Sequence, residues 1–259
     1  MSTNDKGTEA ARFIIFSLPR CGSTTLARAL NCYPGIRCAL EPFIPDNQDS
    51  RKNEISNAEA LEQALAGIWR SYNGIKHVWY PNWPFGKALD LNRALVQRPD
   101  VKIIFLTRRN ELRRLVSTEM SWQTNVWGKY TEADRERARG YDYQQLSTVQ
   151  IEHQLQSVAS GISFLKDAIR AAGTSVLELQ YEDLLADHVF LADRLQLLSR
   201  LREFIDAPTP CDAQADFAVA RLLDPVMNKL NLPDTYQRIP NIAEIEQRFG
   251  SDESGWLFK

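Results

Sequence analysis

A short stretch near the N-terminus combines a cation, a glycine and hydroxyl side chains in a spacing that suits anion binding. It consists of six consecutive residues, Arg20, Cys21, Gly22, Ser23, Thr24 and Thr25. An apolar run precedes it and helical spacing of apolar residues follows it, so a buried strand, a tight loop and a helix are predicted. The N–H groups and the dipole of a helix start attract an anion, and an arginine adds a permanent charge that suits phosphate or sulfate oxygens.

Glu41, Arg109 and Tyr181 follow three other segments whose composition predicts strands. Apolar residues at helical spacing lie between these segments, so strands and helices alternate along the chain. This alternation predicts a P-loop-like α/β fold of three layers, with a central, mainly parallel sheet flanked by helices. In such folds a ligand binds beyond the carboxyl ends of the strands, which is where these polar residues are expected to lie.

The remaining pattern predicts one folded unit. Residues 1–11 are polar and predict a disordered leader, and residues 12–259 predict a single domain. The longest helix is predicted for residues 147–172. Residues 127–143 are charged and aromatic with weak periodicity, which predicts a mobile or partly helical insertion, and the tail after residue 207 predicts short helices and loops.

The composition argues against several classes of function. With 44% apolar and 25% charged residues the chain is typical of a soluble globular protein, and its net charge of −2 provides no basic field for nucleic acid. No apolar run approaches the roughly 18 residues that a membrane helix needs, so no membrane partner is predicted. The four cysteines lack paired C-x-x-C spacing, which predicts no metal site and a reducing, cytoplasmic location.

Two well-known phosphate loops fit this sequence less well. A Walker A loop has glycine at the position of Ser17 and lysine at the position of Ser23, and the second buried strand ends in Thr-Arg-Arg rather than in the aspartate that would hold Mg²⁺. A cysteine phosphatase uses C-x5-R, whereas Cys21 and Arg28 are spaced C-x6-R. These departures favour an anion loop that needs no metal.

The stretch from Arg20 to Thr24 resembles the 5′-phosphosulfate loop of sulfotransferases that use 3′-phosphoadenosine 5′-phosphosulfate (PAPS), which reads [KR]-x-G-[ST]-[ST] after a strand. The 3′-phosphate element of that family is an arginine at a strand end and a serine eight residues later, and Arg109 and Ser117 have this spacing. The segment that begins at Tyr181 resembles the Tyr-Glu-Asp segment that helps to hold the adenine side. The three elements occur in the family order.

The resemblance implies PAPS as co-substrate, adenosine 3′,5′-bisphosphate as product and no metal. Arg20 would stabilise the leaving 5′-phosphate, together with the hydroxyls and helix amides of residues 21–25. Arg109 and Ser117 would hold the 3′-phosphate, whereas Arg108 lies one place off the family spacing. Tyr181 would contribute to the adenine side.

The segment after the first helix is similar to the tyrosylprotein and carbohydrate-type branch of the family, in which His-Pro-x-x-Arg-Cys-x-x-Glu follows the loop. Residues 33–41 read Tyr-Pro-Gly-Ile-Arg-Cys-Ala-Leu-Glu, and the Arg-Lys-Gly stretch of cytosolic members is absent. Glu41 is the predicted general base, because a carboxylate held in a cleft can have its pKa raised toward neutrality and accept a hydroxyl proton. His77 is the alternative, because cytosolic members use a histidine close after a lysine, and at most one of Lys76 and His77 faces the donor in a strand. If Lys76 is the one that faces the donor, it would assist the sulfuryl oxygens.

The sequence thus predicts transfer of a sulfuryl group from PAPS to a hydroxyl or amine of a small-molecule or natural-product acceptor. A P-loop-type nucleotide kinase and a non-catalytic nucleotide-binding module remain as alternatives. The identity of the acceptor is not fixed by the sequence, and a homodimer stays open.

Overall fold

A computed structural model of the chain describes residues 10–43, 55, 57–80, 90–127, 131–207, 213–224 and 233–258. Five strands in these residues form one sheet in the order β2-β3-β1-β4-β5, and every neighbouring pair is parallel. The strands are β1 Phe13–Ser17, β2 Cys38–Leu40, β3 Gly74–Val78, β4 Lys102–Thr107 and β5 Val176–Gln180. The sheet is thus entirely parallel, where the sequence predicted a mainly parallel one.

Helices connect the strands and follow the last of them. In chain order the described helices are α1 Ser23–Leu30, α2 Ala58–Ile68, α3 Leu91–Val96, α4 Glu111–Thr124, α5 Glu132–Gly140, α6 Thr148–Ala172, α7 Tyr181–Leu185, α8 Leu191–Phe204, α9 Ala213–Leu223, α10 Pro233–Tyr236 and α11 Ile242–Phe249.

Local sequence signals set the ends of the long helix α6. Ser147 caps it, because its side chain accepts a hydrogen bond from the backbone N–H of Gln150 at 3.2 Å. Gly173 ends it in the left-handed conformation with φ of 66°. The helix predicted for residues 147–172 is therefore confirmed.

The segment predicted as a mobile or partly helical insertion contains α5. Its start is a capping box in which Thr131 and Asp134 each accept the other's backbone N–H. Residues 128–130 lie outside the described part of the chain.

Both faces of the sheet are covered. All residues of β1 and β3 are buried, including the polar Ser17, Lys76 and His77. One group of contacting helices contains α1, α8 and α9, and another contains α3, α4 and α6. Strands buried along their whole length between two groups of helices are typical of the three-layer α/β fold that the sequence predicted.

A second, smaller hydrophobic cluster supports α4. Leu112, Leu115 and Val116 of α4 pack there with residues of α6 and with Ile245 of α11. The backbone carbonyl of Leu257 accepts hydrogen bonds from the Arg113 side chain, so the end of the chain is also attached to α4. No described helix is long and apolar enough to cross a membrane.

Gly74 provides a test of the packing at the centre of the sheet. A Cβ at this position would lie 2.2 Å from Cζ of Phe13, its partner in β1. We expect Gly74→Ala to lower the free energy of unfolding by about 1–3 kcal/mol, because the buried ring and strand must shift. Urea denaturation followed by circular dichroism measures this.

Gly140→Ala is the matched control, since a Cβ there would meet nothing within 4 Å. It should cause no loss of stability, because alanine is the better helix former. An equal loss in both variants would contradict the packing argument.

Candidate active site

The loop between β1 and α1 has an unusual backbone. Arg20 and Gly22 adopt left-handed conformations with φ of 63° and 80°. This region is open to glycine but uncommon for arginine. A Cβ on Gly22 would lie 2.3 Å from Leu185 and 3.2 Å from Tyr181, so α7 packs directly against the loop. Gly22 is the residue before α1 and has no side chain that could cap the helix. The backbone N–H groups in the first turn of α1 therefore have no capping side chain from this position.

Arg20 joins the loop to α4. Its Nε donates to Oγ of Ser117 at 2.9 Å, and its Nη1 donates to the carbonyl oxygen of Trp127 at 2.5 Å. The Ser117 side chain is buried. The structure therefore brings together two residues that the sequence predicted for separate anion elements.

Lys76 connects the loop to Glu41. Its Nζ lies 3.0 Å from Oγ1 of Thr24 and contacts Oε1 of Glu41. Only 4% of the Lys76 side chain is exposed, against 29% for Glu41. Burial lowers the pKa of Lys76 to about 7, and the charge of Arg20 acts in the same direction. The contact with the Glu41 carboxylate acts in the opposite direction to burial, because a nearby negative charge favours the charged ammonium.

Glu41 is held by its backbone. Its N–H donates to the carbonyl oxygen of Lys76 at 2.8 Å, and its φ is 50°. Arg20 and Glu41 are two of four described non-glycine residues with left-handed φ; the others are Asn125 and Asp206. Such conformations persist only where the surroundings enforce them and are concentrated at functional sites.

His77 has different neighbours from Lys76. Its ring is fully buried, Nε2 lies 3.0 Å from Oδ1 of Asn92, and the ring stands 5.1 Å from that of Phe16. Burial lowers the pKa of His77 to about 4, the Asn92 contact opposes this shift, and the Lys76 charge adds to it. Glu41 shares a contact with Thr24 through Lys76, whereas the His77 ring lies beside Asn92 and Phe16.

The two adjacent arginines after β4 make different contacts. Arg109 is exposed, and its Nη2 donates to Oδ1 of Asp183 at 2.9 Å. The carboxylate of Glu182 accepts the backbone N–H groups of Arg109 and Asn110. Arg108, which the family spacing passes over, contacts the loop through the carbonyl oxygen of Arg20.

The remaining predicted residues lie on the loop and on the first turn of α1. Cys21 is fully buried, and burial raises the pKa of its thiol to about 12. A thiol in this state does not act as a nucleophile, which argues against the phosphatase alternative. Ser23 is buried, and Thr25 is half-buried. Among the described residues there is no group of three or more His, Cys, Asp or Glu side chains that could hold a metal ion.

Neither the protein-family models nor the curated proteins give a match to this chain. A solved structure of mouse sulfotransferase SULT7A1 complexed with PAP is similar to it over 93% of this chain and 76% of that chain. The sequence identity is 14% and the TM-score is 0.45. A likeness this distant assigns neither a function nor a ligand.

His77 should make stability depend on pH. Its pKa is about 4 in the folded chain and 6.5 in the unfolded chain, so between these values the unfolded chain binds more protons. The free energy of unfolding should therefore fall as the pH drops from 6.5 to 4, by up to about 3 kcal/mol from this group. Urea denaturation at several pH values measures this.

His77→Gln, which keeps an N–H donor for Asn92, should flatten this part of the pH profile even if it lowers stability overall. The exposed His153 offers the control, and His153→Asn should keep the wild-type profile. An unchanged slope in His77→Gln would show that another group titrates there.

Proposed function

We propose that this protein transfers a sulfuryl group from PAPS to a hydroxyl or amine of a small-molecule or natural-product acceptor and releases adenosine 3′,5′-bisphosphate. The observation that carries the proposal is the contact network in which Lys76 joins Thr24 of the anion loop to the carboxylate of Glu41. Anion-binding groups and a proton acceptor are thus adjacent at one edge of the sheet. These are the two requirements of metal-free sulfuryl transfer.

The residues present fit the 5′-phosphosulfate end of PAPS. The Arg20 guanidinium, the uncapped amides at the start of α1 and the Thr24 hydroxyl lie in one continuous segment, the loop after β1 and the first turn of α1. The nearly buried Lys76 adds a second cation beside Thr24. Donors and cations fixed in place before the reaction stabilise negative charge strongly, since they need no reorganisation.

Ser117 and Arg109 would hold the 3′-phosphate, and Tyr181 would contribute to the adenine side. Ser117 already lies within hydrogen-bond distance of Arg20, so the elements assigned to the two phosphates adjoin. The Arg109 guanidinium pairs with Asp183, and a phosphate would take the place of that carboxylate.

When bound, PAPS supplies a sulfuryl group on a phosphate leaving group, so negative charge grows on the phosphate oxygen during transfer. Arg20, Lys76 and the α1 amides stabilise this charge. Glu41 accepts the proton of the acceptor; part of its side chain is exposed, so an acceptor from solvent can reach it.

Two other functions make different demands on the same loop. A P-loop-type nucleotide kinase would bind ATP with Mg²⁺, for which the loop lacks the lysine after Gly22. A non-catalytic module would bind the nucleotide without turnover.

The net charge of −2 favours a small acceptor over nucleic acid. We propose that the protein acts in the cytoplasm, without a membrane partner.

Calorimetric titration of the full chain tests the donor. Adenosine 3′,5′-bisphosphate should bind at least about tenfold tighter than ATP with Mg²⁺, because Arg109 and Ser117 recognise the 3′-phosphate. Tighter binding of ATP with Mg²⁺ would refute the sulfotransferase proposal and favour the kinase.

Glu41→Gln tests the base. We expect it to lower turnover by about 10²–10⁴-fold and to leave the affinity for the bisphosphate within about threefold, because the amide keeps the shape but takes no proton. Bisphosphate release from PAPS, measured with panels of phenols, alcohols and amines, gives the rate.

Glu62→Gln is the matched control, since Glu62 is exposed and pairs with Arg98 outside the site. It should leave turnover unchanged. If His77→Ala lowers turnover and Glu41→Gln does not, His77 is the base. Bisphosphate binding without turnover on any acceptor would favour the non-catalytic module.

A further inference from the structure

Arg108 lies between the anion loop and α7. Its Nη1 donates to the carbonyl oxygen of Arg20 at 3.2 Å, and its Cζ lies 4.3 Å from the centre of the Tyr181 ring. The second distance is within the range of a cation–π interaction. Arg108 therefore contacts the backbone of the loop and the first residue of α7 at the same time.

Arg108 and Tyr181 contact the loop at its two residues with left-handed φ, Arg20 and Gly22. Arg108 binds the carbonyl of Arg20, whose φ is 63°, and the Tyr181 ring packs against Gly22, whose φ is 80°. A left-handed arginine is sterically unfavourable and needs such support. The hydrogen bond from Arg108 also gives the Arg20 carbonyl oxygen a charged donor.

The guanidinium groups of Arg108 and Arg109 have different surroundings. The guanidinium of Arg109 is exposed and meets the carboxylates of Glu182 and Asp183. That of Arg108 is half-buried, and its Nε is buried without a hydrogen-bond partner among the described residues. Leaving a buried donor unused is a cost that buried polar groups usually avoid.

We propose that Arg108 is a positioning residue for the 5′-phosphate loop, which it holds together with Tyr181 so that the Arg20 guanidinium and the α1 amides meet the same anion. The identity of the ligand rests on the proposed function, but this positioning acts on any nucleotide whose 5′-phosphate lies in the loop. The effect of Arg108 is therefore common to nucleotides with a 5′-phosphate. That of Arg109 is confined to nucleotides that also carry a 3′-phosphate.

Calorimetric titration with AMP and with adenosine 3′,5′-bisphosphate separates the two arginines. Arg108→Gln should weaken both ligands by the same factor, at least about tenfold. Arg109→Gln should weaken the bisphosphate by at least about fivefold and leave AMP within about twofold. Arg170→Gln is the control, because Arg170 is exposed and pairs with Asp167 on α6, and it should change neither affinity.

Arg108→Lys keeps the charge and a donor for the Arg20 carbonyl but loses the planar group over Tyr181. It should weaken both ligands by at least about threefold, and it carries the test if Arg108→Gln does not fold. Melting temperatures without ligand serve as the second readout. A purely structural Arg108 would lower the melting temperature and leave the affinities of the folded variants unchanged.

The inference is overturned if the Arg108 variants keep wild-type affinity for AMP or weaken the bisphosphate alone. Absence of measurable nucleotide binding to the wild-type chain would overturn it together with the proposed function. If ATP with Mg²⁺ binds better than the bisphosphate, the sulfotransferase proposal fails. The role of Arg108 nevertheless stands in that case, provided that Arg108→Gln weakens AMP and ATP equally.

Discussion

The candidate site depends on the contacts that the buried Lys76 ammonium makes with Thr24 and Glu41. A charge on a side chain that is only 4% exposed is costly unless polar partners surround it. Its partners come from two other elements, because Thr24 lies in α1 and Glu41 follows β2. Compensating one buried charge therefore ties the ends of β1, β2 and β3 together. The register of these strands, in which Leu40 pairs with Lys76, makes the contact geometrically available.

Two charged residues of the candidate site have an unfavourable backbone conformation. Arg20 and Glu41 both have left-handed φ, and both present charged side chains at the sheet edge. Arg20 is held through Ser117 and through Arg108, and Glu41 is held through the backbone of Lys76. The cost of each conformation is offset by contacts with strands and helices that the core already fixes.

Local signals made much of this fold predictable, and contacts between distant segments account for the rest. Ser147 and Gly173 act within one turn of the ends of α6, and the bounds predicted for this helix agree with the structure. Spacing could place Arg109 and Ser117 near a common edge. It could not show which of two adjacent arginines faces the loop, because that depends on how the chain leaves β4. The partners of Lys76 likewise became visible only when the strands were in register. The Thr131 capping box was a local signal for α5 within a segment of otherwise weak periodicity.

The strand order divides the site into two halves. Strands β2 and β3 lie on one side of β1, and β4 and β5 lie on the other. The connections on the two sides therefore diverge at the carboxyl end of β1, where the anion loop begins. Glu41 and Lys76 belong to the first side, whereas Arg109 and Tyr181 belong to the second. Under the proposed assignment, the general base and the residues that recognise the 3′-phosphate and the adenine are encoded by different stretches of chain. Acceptor preference could then diverge during evolution through loops on one side, while the nucleotide half stays unaltered.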